Sequence, residues 1–306
     1  MDLRIFVEPQ QGSTYEDQLA GALLAERLGF NGYFRSDHFL AMAGDGGAGP
    51  TDSWITLAGL ARETSTIRLG TLVSSATFRH PAILAISVAQ VDAMSNGRVE
   101  LGLGTGWFEA EHRAYGIPFP ARRFGPFEEQ LEVITGLWGT PPGERYSFEG
   151  EHYQLVDAPA LPRPVQHPIP LIIGGGGPSR TPAIAARFAT EYNIGFVAEA
   201  TIAEKFAGVR RACEDIGRDP DSLVYSVALP TLVGSDENDY LRRASARDKD
   251  PVAFRRDNIA GTPDEALERI ARLKAIGADR VYLQTELVAD LDLIEVLGTL
   301  VLPHVG

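Results

Sequence analysis

The chain has 306 residues, with 28 Lys and Arg against 41 Asp and Glu, a formal charge of −13. That acidity disfavours a nucleic-acid partner or an anionic membrane surface, both of which call for net basic faces. Hydrophobic residues at 44% and charged residues at 23% are ordinary for a globular protein, and no apolar run approaches the roughly 18 residues that cross a bilayer. A strand-like pattern starts at residue 2 with no signal peptide ahead of it, and a lone cysteine excludes an intramolecular disulfide and a multi-cysteine metal cluster, so a cytoplasmic chain is expected. That cysteine, Cys213, lies among charges in a helical stretch and reads as an inert surface thiol.

Short apolar runs alternate with amphipathic stretches. Residues 4–8 read as a strand and 15–29 as a helix, with Leu19, Ala22 and Leu23 at helical spacing and Gly29 as its stop. Strand 32–38 leads to helix 53–64, strand 67–75 to helix 81–94, and strand 98–106 to helix 124–137. Residues 139–170, rich in Pro, Gly and aromatics, are too long for a simple connection and read as an insertion carrying short extended segments. The alternation resumes with strand 171–174 and helix 181–188, then strand 193–197 and helix 202–216. Strand 223–233 is followed by a polar stretch, 236–258, read as a mobile or helical excursion. Thr262, Pro263 and Glu265 open a capped helix that runs to 276. Strand 280–284 and helix 290–302 close the chain.

Eight strand–helix units in this length imply parallel strands with right-handed crossovers, closed into a (β/α)8 barrel as one domain over 1–306. An open doubly wound sheet is the alternative. Either architecture binds ligands at the C-terminal ends of the strands, so the strand ends carry the chemistry. The second strand ends in Ser36, Asp37 and His38, an acid beside a base that titrates near neutrality. The third ends in Leu72, Val73, Ser74, Ser75, Ala76 and Thr77, apolar residues and then hydroxyls, suited to a flat ligand with polar edges or to ordinary turn capping. The fourth ends in Gly102, Leu103, Gly104, Thr105, Gly106 and Trp107, where alternate glycines let a planar ring approach the backbone. Residues 108–120 after it carry Glu109, Glu111, His112 and Tyr115, which line a substrate cavity or sit in a solvated loop. The fifth ends in Gly174, Gly175, Gly176 and Gly177, followed by Pro178, Ser179 and Arg180 at a helix start. Free backbone amides, the helix dipole and Arg180 make this the most specific signal in the chain, a phosphate cradle. It is not a Walker loop, and residues 102–107 are not a dinucleotide fingerprint. The six scattered histidines offer no metal-ligand pair at helical spacing, and no metal is expected.

These strand ends together resemble the luciferase-like monooxygenase superfamily, and more closely its coenzyme F420-dependent oxidoreductase branch. The resemblance rests on Ser-Asp-His-Phe at 36–39, the run 68–81, the glycine-rich run 97–107, the four-glycine loop and the helix start at 261–265. It implies a TIM barrel with an insertion before the fifth strand, and a deazaflavin, or alternatively FMN, at the C-terminal mouth. It further implies a non-prolyl cis peptide at Leu72–Val73 backing the central ring, and cofactor contacts from Asp37, Ser75 and Gly174 to Gly177; Gly104, Thr105, Gly106, Pro178, Ser179 and Arg180 are cofactor candidates from the strand-end reading itself. His38 falls beside the reactive carbon. In the sugar-phosphate dehydrogenases of this branch a glutamate proton donor stands where this chain has Trp107. The acid here is therefore Glu109, Glu111 or His38, or else water. Trp54, Trp107, Phe108, Tyr115 and Phe119 suggest an apolar or aromatic cavity for a small organic substrate, and the branch implies a homodimer. Three activities stand open: hydride transfer with F420, oxygen chemistry with FMN, and cofactor binding without turnover.

Overall fold

The computed structural model describes residues 1–42 and 44–305. The strands in chain order are β1 (Asp2–Val7), β2 (Gly32–Arg35), β3 (Arg68–Thr71), β4 (Ser74–Ser75), β5 (Val99–Gly104), β6 (Tyr146–Glu149), β7 (Gln154–Ala158), β8 (Leu171–Gly174), β9 (Glu191–Gly195), β10 (Val224–Val233), β11 (Ile259–Gly261) and β12 (Arg280–Thr285). Between them lie α1 (Tyr15–Leu28), α2 (Ser53–Glu63), α3 (Pro81–Ser95), α4 (Glu109–Tyr115), α5 (Phe124–Gly139), α6 (Arg180–Phe188), α7 (Glu199–Asp215), α8 (Glu237–Ser245), α9 (Pro251–Asp257), α10 (Pro263–Ala275) and α11 (Leu291–Val296). Parallel pairing runs β12–β1–β2–β3–β5–β8–β9–β10, and β10 pairs back onto β12, closing an eight-position (β/α)8 barrel. No helix among the described residues is long and apolar enough to cross a membrane.

Local chemistry sets the element boundaries. Thr14 and Asp17 form a reciprocal capping box at the start of α1, and Gly29 ends that helix at φ 88°. Thr262 and Glu265 do the same for α10, with Pro263 in the first turn. The 139–170 stretch holds the antiparallel hairpin β6–β7, and the polar stretch 236–258 is helical, forming α8 and α9. Three readings need correction. The third strand breaks into β3 and β4, and residues 109–115 form a helix rather than a loop. Cys213 is fully buried, because Ile202, Phe206, Val209 and Cys213 make one apolar stripe of α7. It is a core thiol, and burial raises its pKa.

Side chains two apart on a strand share a face, so the barrel interior is stacked in layers. At the N-terminal end, Arg4, Arg68, Glu100, Glu191 and Arg280 form a buried ionic cluster. Arg4 reaches Glu100 at 2.8 Å, while Arg68 pairs with Glu100 and Arg280 with Glu191. The middle layer is apolar, with Phe6, Phe34, Leu72, Ile172, Ala228 and Tyr282 in one cluster. The Arg4 guanidinium lies 5.1 Å from the Phe34 ring centre, joining the two layers. Above them the same strands present Glu8, Ser36, Gly104, Gly174 and Gln284 to a cavity.

Candidate active site

The cavity at the C-terminal mouth has a volume of about 660 Å³, within the range that encloses a small ligand or cofactor. Its back is built by the break between β3 and β4. The Leu72–Val73 peptide, expected cis from the resemblance, is cis. Val73 fills the space where neighbouring strands lack side chains. A Cβ on Gly102 would stand 2.9 Å from Val73 Cγ1, one on Gly104 3.1 Å from Cγ2, and one on Gly174 3.2 Å from Cγ1. The alternate glycines thus accommodate Val73, and the cavity gains a flat apolar back made of Leu72 and Val73.

Asp37 ends the β2 segment fully buried. Ser74 Oγ donates to it at 2.7 Å and Arg79 Nη1 at 2.5 Å. Burial opposes its ionisation, yet the Arg79 ion pair and these hydrogen bonds hold its carboxyl below the usual range. The same guanidinium bonds Asp52 at 2.6 Å, and Asp52 caps α2 through the amides of Trp54 and Ile55. Arg79 therefore ties the cavity wall to the start of a helix. It was invisible to the strand-end rule, because it stands past the third strand, just before α3.

His38 follows, with its Nδ1–H donating to Glu111 at 3.0 Å. Glu111 has no exposed surface, and it also accepts from the backbone amides of Phe39 and Leu40. Helix α4 supplies this carboxylate from 73 residues away in sequence. Burial opposes protonation of His38, but the Glu111 hydrogen bond and the charges of Glu111, Glu8 and Asp37 raise its pKa above the ordinary value. These contacts favour the protonated ring, with Nδ1 committed to Glu111 and Nε2 left for a ligand.

The neighbouring turn of α4 supports the hydroxyls. His112 Nδ1 donates to Phe108 O at 2.8 Å, and Nε2 lies 2.5 Å from Thr77 Oγ1. Thr77 in turn lies 2.6 Å from Ser75 Oγ. If the Thr77 proton goes to His112, Ser75 donates to Thr77 and keeps its lone pairs for the cavity, an acceptor suited to a ring N–H. His112 is a buried support for this chain.

The four-glycine loop opens onto the cavity through Gly174, Gly175 and Gly176, with Gly175 at φ 137°. Ser179 makes no side-chain cap on α6, so the first-turn amides lack that partner. A phosphate fits there by hydrogen bonding and dipole alike. Gly177, Pro178, Ser179 and Arg180 do not line the cavity. The Arg180 guanidinium is engaged by Glu128 and lies 5.0 Å from the Phe124 ring centre.

Among the substrate-cavity candidates, Trp107, Phe108, Glu111 and His112 line the mouth, together with the cofactor candidates Thr105 and Gly106. Trp107 is 65% exposed and stacks on Phe108 at 5.2 Å. Trp54 does not belong here: it is 4% exposed in the core, where Trp54, Leu57 and Ala61 form the inner stripe of α2. Glu109 is exposed on the outer side of α4. The strand-end rule, applied to β1, β9 and β12, also finds wall residues not singled out above, namely Glu8, Asn193 and Gln284. Phe196, at φ 60°, stands 59% exposed at the rim.

The chain matches the family model described as luciferase-like monooxygenase over residues 1–257. It is 35% identical over 185 residues to an F420-dependent glucose-6-phosphate dehydrogenase of Amycolatopsis mediterranei, a match covering 59% of this chain and 52% of that protein. The chain spans about half the length of the curated relatives it matches. Among solved structures, an F420-dependent secondary alcohol dehydrogenase in complex with an F420–acetone adduct superposes with a TM-score of 0.86 at 21% identity, covering 100% of this chain and 99% of that one. A monooxygenase from Streptomyces bottropensis superposes with a TM-score of 0.81 at 22% identity over the full length of both chains. These two likenesses agree with the closed barrel, and the family match spans the strand ends that wall the cavity from β1 to β10, leaving only that of β12 outside it. The chain therefore belongs to the luciferase-like monooxygenase family.

Proposed function

We propose that the protein is an F420-dependent oxidoreductase acting on a small organic substrate. The observation that carries this reading is the pairing of a flat apolar back, Leu72 and Val73, with a proton donor, His38 held by Glu111, across one cavity. The residues present suit a deazaflavin. Leu72 and Val73 would face the ring, Ser75 would accept from a ring N–H, and the glycine loop that opens onto the cavity at Gly174, Gly175 and Gly176 would hold the phosphate. When bound, F420 supplies or receives a hydride at the substrate carbon. The protein orients the two reactants, and His38 Nε2–H gives or recovers the accompanying proton. Glu111 fixes the His38 ring and favours its charged form. The F420-dependent relatives support the cofactor assignment.

Fluorescence titration tests the assignment directly. F420 is expected to bind at least about tenfold more tightly than FMN, a difference of roughly 1.4 kcal/mol. FMN binding equal to or tighter than F420 binding overturns the assignment and favours the monooxygenase chemistry. We further infer a homodimer formed through α2 and α3. Ile55 on α2 and Ile83 on α3 are 77% and 58% exposed on these two packed helices. Light scattering at micromolar concentration checks it, and a monomeric mass refutes it.

A further inference from the structure

The charge of the cavity bears on what enters it. Four carboxyl groups line it, Glu8, Asp37, Glu111 and Glu286, and among the described lining residues there is no lysine or arginine. Three of the four already have a cation. Asp37 has Arg79, Glu111 has His38, and Glu286 has Lys249 at 2.9 Å. Glu8 differs. Its side-chain hydrogen bonds come from the neutral amides of Gln10 and of Gln284, the latter at 2.9 Å. The guanidinium groups in the adjoining cleft, Arg242, Arg243 and Arg247, are engaged by Asp239 and Asp290. A phosphorylated or carboxylated substrate would therefore meet four carboxyl groups and, among the described lining residues, no lysine or arginine, the His38 ring being already paired with Glu111.

The rest of the wall suits the opposite charge. Trp107 stacks on Phe108, and Phe196 stands at the rim. Aromatic faces attract organic cations, most of all when these are partly desolvated. Glu8 and Gln284 come from the paired strands β1 and β12, and Gln284 bonds the Glu8 carboxyl in place.

We propose that the substrate is a nitrogen base with apolar substituents, reduced at a C=N bond as its iminium ion, with Glu8 as the anion that holds the cation. This deepens the F420 reading and rests on it. The reaction balances without any further reagent. The iminium carbon gains a hydride from the reduced deazaflavin, the C=N π pair moves onto nitrogen, and the resulting neutral amine takes one proton from His38 or water. Because the cation is already activated, no acid strong enough to protonate a carbonyl oxygen is needed.

The test uses protein saturated with F420, whose binding is first measured by fluorescence. Five compounds are compared: 3,4-dihydroisoquinoline, its reduction product tetrahydroisoquinoline, the similarly shaped ketone 1-tetralone, 1-naphthoate and glucose 6-phosphate. The imine is expected to be reduced with a kcat/KM at least tenfold above that of the ketone. Tetrahydroisoquinoline is expected to bind in calorimetry, its affinity falling with added salt, while 1-naphthoate and glucose 6-phosphate do not bind. Glu8→Gln should lower the imine-to-ketone ratio at least tenfold, and Glu8→Asp should restore part of it. A ketone or glucose 6-phosphate turned over as well as the imine overturns the proposal, as does tetrahydroisoquinoline binding no more tightly than 1-naphthoate. The wild-type comparison decides the matter even if the Glu8 variants fail to fold. Failure of F420 to bind refutes the cofactor reading instead, and the calorimetry, repeated without cofactor, still reports the charge preference of the cavity.

Discussion

Replacing Glu111 by glutamine separates the role of this carboxylate from that of its neighbour Glu109. Glu111 Oε1 accepts from the amides of Phe39 and Leu40, and Oε2 accepts from His38 Nδ1. A glutamine keeps the first oxygen but puts an NH2 group where Oε2 stood. That group needs an acceptor, so His38 must turn an unprotonated Nδ1 towards it. The charge-assisted bond, worth about 1.5–3 kcal/mol, is exchanged for a neutral one worth about 1 kcal/mol. The expected destabilisation is thus roughly 1–2 kcal/mol, from a native stability on the order of 10 kcal/mol. Glu111→Ala removes all three contacts from a fully buried site and should cost about 3–5 kcal/mol. Glu109→Gln, on the exposed side of the same helix, should stay within about 0.5 kcal/mol.

The pH dependence has a definite sign. A histidine whose pKa is raised on folding adds stability that is present below its unfolded pKa and is lost as pH rises through the folded one. Wild type should therefore lose the His38–Glu111 contribution on the alkaline side, and Glu111→Gln should lack that loss. Urea unfolding between pH 5 and 9, with NMR titration of the His38 ring, measures both effects without any substrate. An unchanged His38 titration in Glu111→Gln, or equal destabilisation by Glu109→Gln, would refute the reasoning.

His38→Ala should lower turnover by about 10²–10⁴-fold, the usual effect of losing a general acid, with a much smaller change in F420 affinity; parallel losses in both would mean that the ring only packs. Gly104→Ala brings a Cβ to 3.1 Å from Val73 Cγ2, and should cost about 1 kcal/mol of stability while weakening F420 binding, read by urea unfolding and fluorescence titration. Gly102→Ala drives its Cβ into the Thr71 carbonyl, where backbone must shift, and should cost about 3 kcal/mol or more. Glu100→Gln leaves Arg4, Arg68 and Arg280 facing one another and should cost about 3–5 kcal/mol at pH 7. Burial opposes ionisation of Glu100, but the three guanidinium groups hold its pKa below the ordinary range, so its contribution is lost on acidification and the gap between variant and wild type should narrow as pH falls.

The barrel was legible because its strands are short apolar runs separated by capped helices, and the capping boxes at Thr14 and Thr262 leave little freedom in where α1 and α10 begin. The glycines at 102, 104 and 174 likewise advertise a bare wall. What they make room for, Val73, is a property of three strands packed together. Helix α4 was missed because Phe108 offers no capping side chain. Its charge order was a usable signal: Glu109 and Glu111 in the first turn, His112 and Arg113 in the last, then Gly116 as an αL stop. Trp54 and Cys213 were misplaced for a shared reason: the helical spacing of their apolar neighbours marks a buried stripe, and that outweighs the residue type. The pairings of His38 with Glu111, and of Arg79 with both Asp37 and Asp52, join segments that have no local relation in sequence. Only the closed barrel brings them together.

The layered interior sets how the mouth and the base of the barrel answer to change. Residues 4, 6 and 8 follow one another up the inner face of the first strand, and at about 3.3 Å per residue roughly 13 Å separates Arg4 from Glu8. Phe6, Phe34 and Tyr282 lie between them as an apolar partition. Substitutions that far apart, with no shared partner, add nearly independently. Glu8, Gln284 and Ser36 can then be exchanged in any combination while the ionic base contributes unchanged, so a library randomised at those three positions would search binding preferences without drawing down fold stability at the opposite end.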